Sequence, residues 1–264
     1  MSADILETIA AASRLLVQEK RKTKPLERLQ SEALAMPCDT GFPFEAALRG
    51  QDMAFICECK KASPSKGLIA PEFPYLKIAK AYETAGAAAI SVLTEPRWFL
   101  GKDAYLQEIS SAVSAPCLRK DFTVDAYMLY EAKTLGAAAV LLICSLLDAK
   151  TLAAYIGICD SLGLSALVEA HDEREIRMAA DCGARVIGVN NRNLRSFTVD
   201  MENSARLRRC APKDVLFVAE SGIRTPEDVE RLRQADIHAV LIGETLMRAG
   251  DKAAMLRRLR GESI

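Results

Sequence analysis

The sequence predicts a (β/α)8 TIM barrel with an N-terminal helical extension. Short apolar runs of parallel-strand length recur eight times along the chain, and stretches with helical periodicity separate them. Three junctions share one form: Ala85-Gly86-Ala87-Ala88-Ala89-Ile90, Leu135-Gly136-Ala137-Ala138-Ala139-Val140 and Cys182-Gly183-Ala184-Arg185-Val186-Ile187. Each reads as a helix end, a glycine that supplies the left-handed closing conformation, and a buried strand. Strands alternating with helices leave a barrel or a doubly wound sheet. No G-x-G-x-x-G follows a strand, which disfavours the dinucleotide-binding sheet.

The elements follow in order. Residues 1–50 read as the extension and 51–264 as a single barrel domain. The first strand lies in the run Met53 to Ile56, the second at Ala89-Ile90, the third at Pro116-Cys117-Leu118 and the fourth within Ala137 to Val140. Leu152, Ile156, Cys159 and Leu162 then fall at helical spacing and form one apolar stripe. The fifth strand spans Leu164 to Val168, and Asp172 with Glu175 opens the next helix in the form of a capping box. Val186-Ile187, Leu216 to Ala219 and Ala239 to Ile242 complete the set. Thr225-Pro226-Glu227-Asp228 gives an N-cap, a proline at the first helical position and acids in the first turn.

Composition excludes several classes. Lys plus Arg and Asp plus Glu both number 35, so there is no global field to attract nucleic acid or an acidic membrane. Half the residues are hydrophobic, enough for a large core, yet no run approaches the roughly 20 residues that span a bilayer. The start, MSADILETIA, lacks the layout of a signal peptide, so the protein is expected in the cytoplasm. Of the eight cysteines, none forms a C-x-x-C, and the histidines are two. A structural metal is not expected, and cysteines in apolar strands act as small hydrophobes.

Barrel active sites lie at the carboxyl ends of the strands. Those ends read Glu58 and Lys60, Thr94 and Glu95, Lys120, Ser145, Glu169, Asn190 and Asn191, Glu220 and Ser221, then Gly243. Glu58 and Lys60 sit two apart, which puts both on one face of an extended strand and sends Cys57 and Cys59 to the other. Lysines and glutamates converging on one rim point to a catalytic site. Ser221-Gly222 after the seventh strand and Gly243 before a short helix suggest a phosphate site built from backbone N–H groups.

With these residues in place the chain closely resembles the indole-3-glycerol phosphate synthase family. The segments that carry the resemblance are FICECKKASPSKG (55–67), ISVLTEPRWFLG (90–101), LRKDFTVDAYMLYEA (118–132), LVEAHDE (167–173), IGVNNRNLRSFTVD (187–200), VAESGIRTPEDV (218–229) and LIGETLM (241–247). The segment Asp4 to Gly50 is similar to the helical extension that covers the barrel rim in this family. The resemblance implies ring closure of 1-(2-carboxyphenylamino)-1-deoxyribulose 5-phosphate to indole-3-glycerol phosphate, with loss of carbon dioxide and water, and without metal or redox cofactor. It also implies roles. Lys120 matches the lysine that protonates the ketone, and Lys60 the second lysine, near the substrate carboxylate or acting as the acid of dehydration. Glu58 and Glu169 match the carboxylates that stabilise the cationic intermediate and take later protons. Ser63, Ser221, Gly222, Gly243 and Glu244 correspond to the phosphate site, Asn190 and Arg192 to the sugar region. Phe122 and Trp98-Phe99 are candidates for packing the anthranilate ring, with Trp98 standing where the family has tyrosine.

Two alternatives stay open on the sequence. Another phosphosugar barrel enzyme would need a Cys/Asp pair, for an isomerase, or a Schiff-base lysine, for an aldolase. A non-catalytic barrel would be expected to lose rim residues, which are complete here. The chain stops soon after the eighth strand, in RRLRGESI, so no fused second enzyme is expected, and association with other tryptophan-pathway enzymes is left open.

Overall fold

The computed structural model describes residues 5–50, 52–193 and 197–262. Eight parallel strands close a barrel: Ala54–Cys59, Ala89–Leu93, Cys117–Lys120, Ala139–Ile143, Ser165–Ala170, Val186–Asn190, Leu216–Glu220 and Ala239–Ile242. The first strand pairs with the second (Ile56 opposite Ala89) and with the last (Ile56 opposite Leu241), which seals the sheet. Each of the eight runs expected from sequence lies within or overlaps one of these strands. A two-residue antiparallel pair, Ala62–Ser63 with Gly67–Leu68, folds the loop after the first strand. The repeated junction glycines have positive φ: Gly86 82°, Gly136 81° and Gly183 86°. Thr225 forms a full capping box with Asp228, and Asp172 accepts from the Glu175 N–H. The Glu175 carboxylate, however, takes the N–H of His171, not that of the cap residue itself.

Strand alternation sorts the side chains into two cores. Ala54, Ile56, Leu118, Leu141, Leu167, Val218 and Leu241 fill the barrel interior. Phe55, Cys57, Cys59, Val140, Val168, Phe217 and Val240 face the surrounding helices. The chain before the first strand reaches both ends of that interior. Phe44 and Leu48, on the helix Pro43–Leu48, are fully buried with the first residues of the strands, and Glu45 pairs with Arg185 just ahead of the sixth strand. The N-terminal helix Ile5–Thr23 lies across the opposite rim, where Leu6 and Ile9 join the interior cluster. Residues 1–4 of the extension and 194–196 of the NNRNLRSFTVD segment lie outside the described residues.

Candidate active site

The inward positions at the carboxyl ends of the strands open into a cavity of about 560 Å³, within the range of small-molecule sites. Glu58 on the first strand and Lys60 just beyond its end form a pair at 2.6 Å, and the Ser91 hydroxyl donates to Glu58 at 3.4 Å. Gly243, after the eighth strand, leaves the room this pair occupies. A Cβ there would collide with the Glu58 carboxylate and approach Lys60 Nζ to 2.8 Å. Across the cavity Lys120 reaches Glu220 at 3.3 Å and Glu169 at 3.5 Å. Gly188 on the sixth strand plays the matching part, because a Cβ on it would run into the Glu220 carboxylate.

These charges perturb one another in low dielectric. Burial alone would drive the Lys120 ammonium towards neutrality, but Glu220, Glu169 and Glu58 reverse this and hold its pKa above the ordinary value. For Glu169 burial is likewise outweighed, by Lys120 and His171, and its pKa falls to about 2. Glu220 moves the other way. Burial, with Glu169 and Glu58 adding to it against the pull of Lys120, raises it to about 7. Its Oε1 is buried with no hydrogen-bond partner among the described residues. Three carboxylates around one ammonium thus leave one of them, Glu220, poised to hold a proton near neutral pH.

The remaining expected residues divide between the two ends of the cavity. Ser63, Asn190, Arg192, Ser221, Gly222, Gly243 and Glu244 line the polar end. Ser221 and Gly222 both have positive φ, 68° and 84°, which turns the loop tightly after the seventh strand. Glu244 is a carboxylate beside a supposed phosphate site, but three cations surround it: Arg248 at 3.1 Å, Arg192 at 3.6 Å and Lys66 at 3.7 Å. They outweigh its partial burial and keep its pKa below the usual carboxylate value. Phe99 and Phe122, with ring centroids 6.0 Å apart, line the apolar end together with Leu141, Ile143 and the helix residues Ile5, Leu6 and Ile9.

Some rim residues have other work. Trp98 packs on the interior cluster without lining the cavity. Glu95 accepts the N–H groups of Arg97, Trp98 and Phe99, so the segment curls around its carboxylate and the two aromatic side chains diverge. Thr94 bonds Asp121 and Arg119, and Ser145 is exposed. Conversely, the sequence reading puts Glu220 on the rim without a role and passes over His171, Gly188 and the three helix residues. Period-two counting from Leu216 and Val218 already turns Glu220 inward. The others depend on contacts between distant segments.

A family model described as indole-3-glycerol phosphate synthase matches residues 6–259. The chain belongs to the indole-3-glycerol phosphate synthase family. Its similarity to the protein of that name from Ruminiclostridium cellulolyticum is 55% identity, over 98% of this chain and all of the relative. The relative from Endomicrobium trichonymphae is 50% identical over 97% of this chain and 99% of its own length. Membership of the indole-3-glycerol phosphate synthase family makes the chain a carboxy-lyase of tryptophan biosynthesis. Solved structures at 14–15% identity share the barrel alone. The 3-hexulose-6-phosphate synthase of Salmonella typhimurium has a TM-score of 0.65, covering 79% of this chain and 97% of that one. The tryptophan synthase complex of Pyrococcus furiosus gives 0.59, covering 80% and 98%.

Proposed function

We propose that Lys120 is the acid of ring closure and that the cavity binds its substrate with the anthranilate ring on Phe99 and Phe122 and the phosphate at Ser63, Ser221, Gly222, Gly243 and Glu244. The observation that carries this reading is the placement of Lys120, between Glu169 and Glu220 and between the apolar and polar ends of one cavity. When the aryl carbon attacks the ketone carbon, the C=O electron pair moves to oxygen, and Lys120 delivers the proton it needs. The ring then carries positive charge, which Glu58 and Glu169 offset. Loss of carbon dioxide returns the carboxylate's bonding pair to the ring. Departure of the new hydroxyl as water requires a second proton, which Lys60 can give, and removal of a ring proton, which Glu169 or Glu220 can accept. Asn190 and Arg192 orient the sugar between these steps.

The isomerase alternative lacks support. Cys57, Cys59 and Cys117 face the helices, and burial pushes their thiols up, those of Cys57 and Cys117 to about 12. We also place the protein in the cytoplasm, in keeping with the lack, among the described residues, of a helix long and apolar enough to cross a membrane. Association with another tryptophan-pathway enzyme belongs to the same proposal. Incubation of the purified chain with the carboxyphenylamino substrate, with and without EDTA, is expected to produce indole fluorescence at equal rates. Lack of product would overturn the reading of this site, and a metal-reversible loss under EDTA would overturn its metal-free form.

A further inference from the structure

The charge network of the cavity continues outward through His171. Glu169 stands on the fifth strand, and His171 lies two residues on, where the chain turns into the helix Glu173–Asp181. The imidazole bridges two carboxylates: Nε2 is 3.2 Å from Glu169 Oε1, and Nδ1 is 3.1 Å from Glu175 Oε2. Glu175 is itself fixed. It is buried, its N–H donates to Asp172 Oδ1 at 2.8 Å, and its Oε2 also accepts from the His171 N–H at 2.8 Å. Glu169 Oε1 and His171 Nε2 are buried and, among the described residues, neither has a hydrogen-bond partner, so their 3.2 Å approach is an ion-pair contact. Both ring nitrogens thus face carboxylate oxygens. A neutral imidazole would turn a lone pair towards one of the two carboxylates, whereas an imidazolium turns an N–H and its positive charge towards each.

The charged and titratable groups around the ring are Glu169 from the strand, and Asp172 and Glu175 from the turn and helix. Cys144, on the loop after the fourth strand, donates its Sγ to Glu175 O at 3.7 Å. Burial opposes a charge on the ring, but Glu169 and Glu175 outweigh it and raise the imidazole pKa to about 10. We infer that His171 is a positioning residue of the ring-closure site: an imidazolium clamped between Glu175 and Glu169 that fixes the Glu169 carboxylate opposite Lys120. It acts through Glu169 without touching substrate, and so rests on the role proposed above for that glutamate.

Without the imidazolium, Glu169 keeps Lys120 as its neighbouring cation but takes up a proton at higher pH. A charge neighbour at this distance shifts a carboxylate by about one unit or more, so His171→Gln is expected to move the acid limb of the kcat–pH profile up by about one unit. A shift of that order from about 2 leaves Glu169 ionised at pH 6. The fall in kcat there, about 3- to 10-fold with KM little changed, is therefore expected from lost orientation of the carboxylate, since misplacement of a reacting group costs up to about 100-fold. His171→Asn should behave alike, since both amides keep a donor and lose the charge. The wild type can be examined directly, because its histidines number two. His238 is held below its ordinary pKa by burial and by Arg208. In ¹⁵N-histidine spectra at pH 8, one ring is therefore expected to be neutral and the other, His171, doubly protonated. A neutral His171 at pH 7 in the wild type would overturn the proposal, and that measurement needs no variant to fold. So would a His171→Gln profile that overlays the wild type while Glu169→Gln is inactive, a result that leaves the catalytic reading standing. An active Glu169→Gln would instead remove Glu169, and the positioning of it, from the mechanism.

Discussion

Lys120 keeps its charge in a place where burial would remove it, because the carboxylates around it are buried too. Lys120→Met retains the length and apolar stem and removes only the ammonium. It is expected to lower kcat by about 10²- to 10⁴-fold, the usual worth of a general acid, and to leave KM nearly unchanged. Steady-state kinetics of Lys120→Met beside Lys60→Met tests the assignment. A milder loss in Lys120→Met than in Lys60→Met would exchange the two roles. Glu220 gives a second prediction, on stability. Its folded pKa of about 7 lies above the ordinary 4.5. Its contribution is thus fully present below about pH 4.5 and is lost as pH rises through about 7. Glu220→Gln should raise Tm more at pH 8 than at pH 5, by about 2 °C or more, the change that goes with about 1 kcal/mol in a domain of this size. The same substitution should lower kcat. Equal Tm gains at both pH values would mean that Glu220 does not titrate in this range. Glu169 is legible in the sequence because it ends an apolar run with a charge, and Lys120 because it lies two residues beyond the inward-facing Leu118. The raised pKa of Glu220 is not, since it arises from Glu169 and Glu58 meeting it across the barrel.

At the scale of elements, the strands place the chemistry and small residues leave space for it. Leu216, Val218 and Glu220 share one face of the seventh strand, as Ala54, Ile56 and Glu58 share one face of the first. An apolar run read with period two therefore tells which terminal charge enters the barrel. Caps were equally legible: Thr225-Pro226 and Asp172 start helices where their chemistry says they should. The pair Ala62–Ser63 with Gly67–Leu68 was not, because two-residue strands carry no periodicity. Gly222 shows what a loop requires. Its φ is 84°, and a Cβ would strike Val199 and come within 2.6 Å of Met201 Sδ. Gly222→Val is therefore expected to displace the loop and raise KM about tenfold, the loss of roughly one good hydrogen bond to a charged group, with a smaller effect on kcat. Unchanged affinity for substrate and for inorganic phosphate, measured by kinetics and by calorimetry, would take this loop out of the phosphate site.

The whole molecule is organised around one apolar column inside the barrel, closed below by Phe44 and Leu48 and above by Leu6 and Ile9. All four belong to the segment before the first strand, so the extension is two structures with different duties. The rim helix is held by its charge as well as its apolar face: Lys20 pairs with Asp103 and Glu131, both of which also bind Arg119, the neighbour of Lys120 on the third strand. Arg119 is 2% exposed and keeps both carboxylates when Lys20 is gone. Removing residues 1–24 should accordingly leave a folded barrel by circular dichroism, with Tm lowered, and reduce kcat/KM at least about 100-fold as the apolar wall over the anthranilate end opens to water. Removing residues 1–49 is a different experiment. It deletes Phe44 and Leu48 as well, each worth about 2–5 kcal/mol when a core side chain of this kind is lost, and it leaves Arg185 without Glu45. Set against a typical total of about 5–15 kcal/mol, that loss is expected to unfold the chain. If the longer truncation melted cooperatively near the wild-type temperature, the helix Pro43–Leu48 would be no part of the core. If the shorter one kept full activity, the rim helix would be no part of the site.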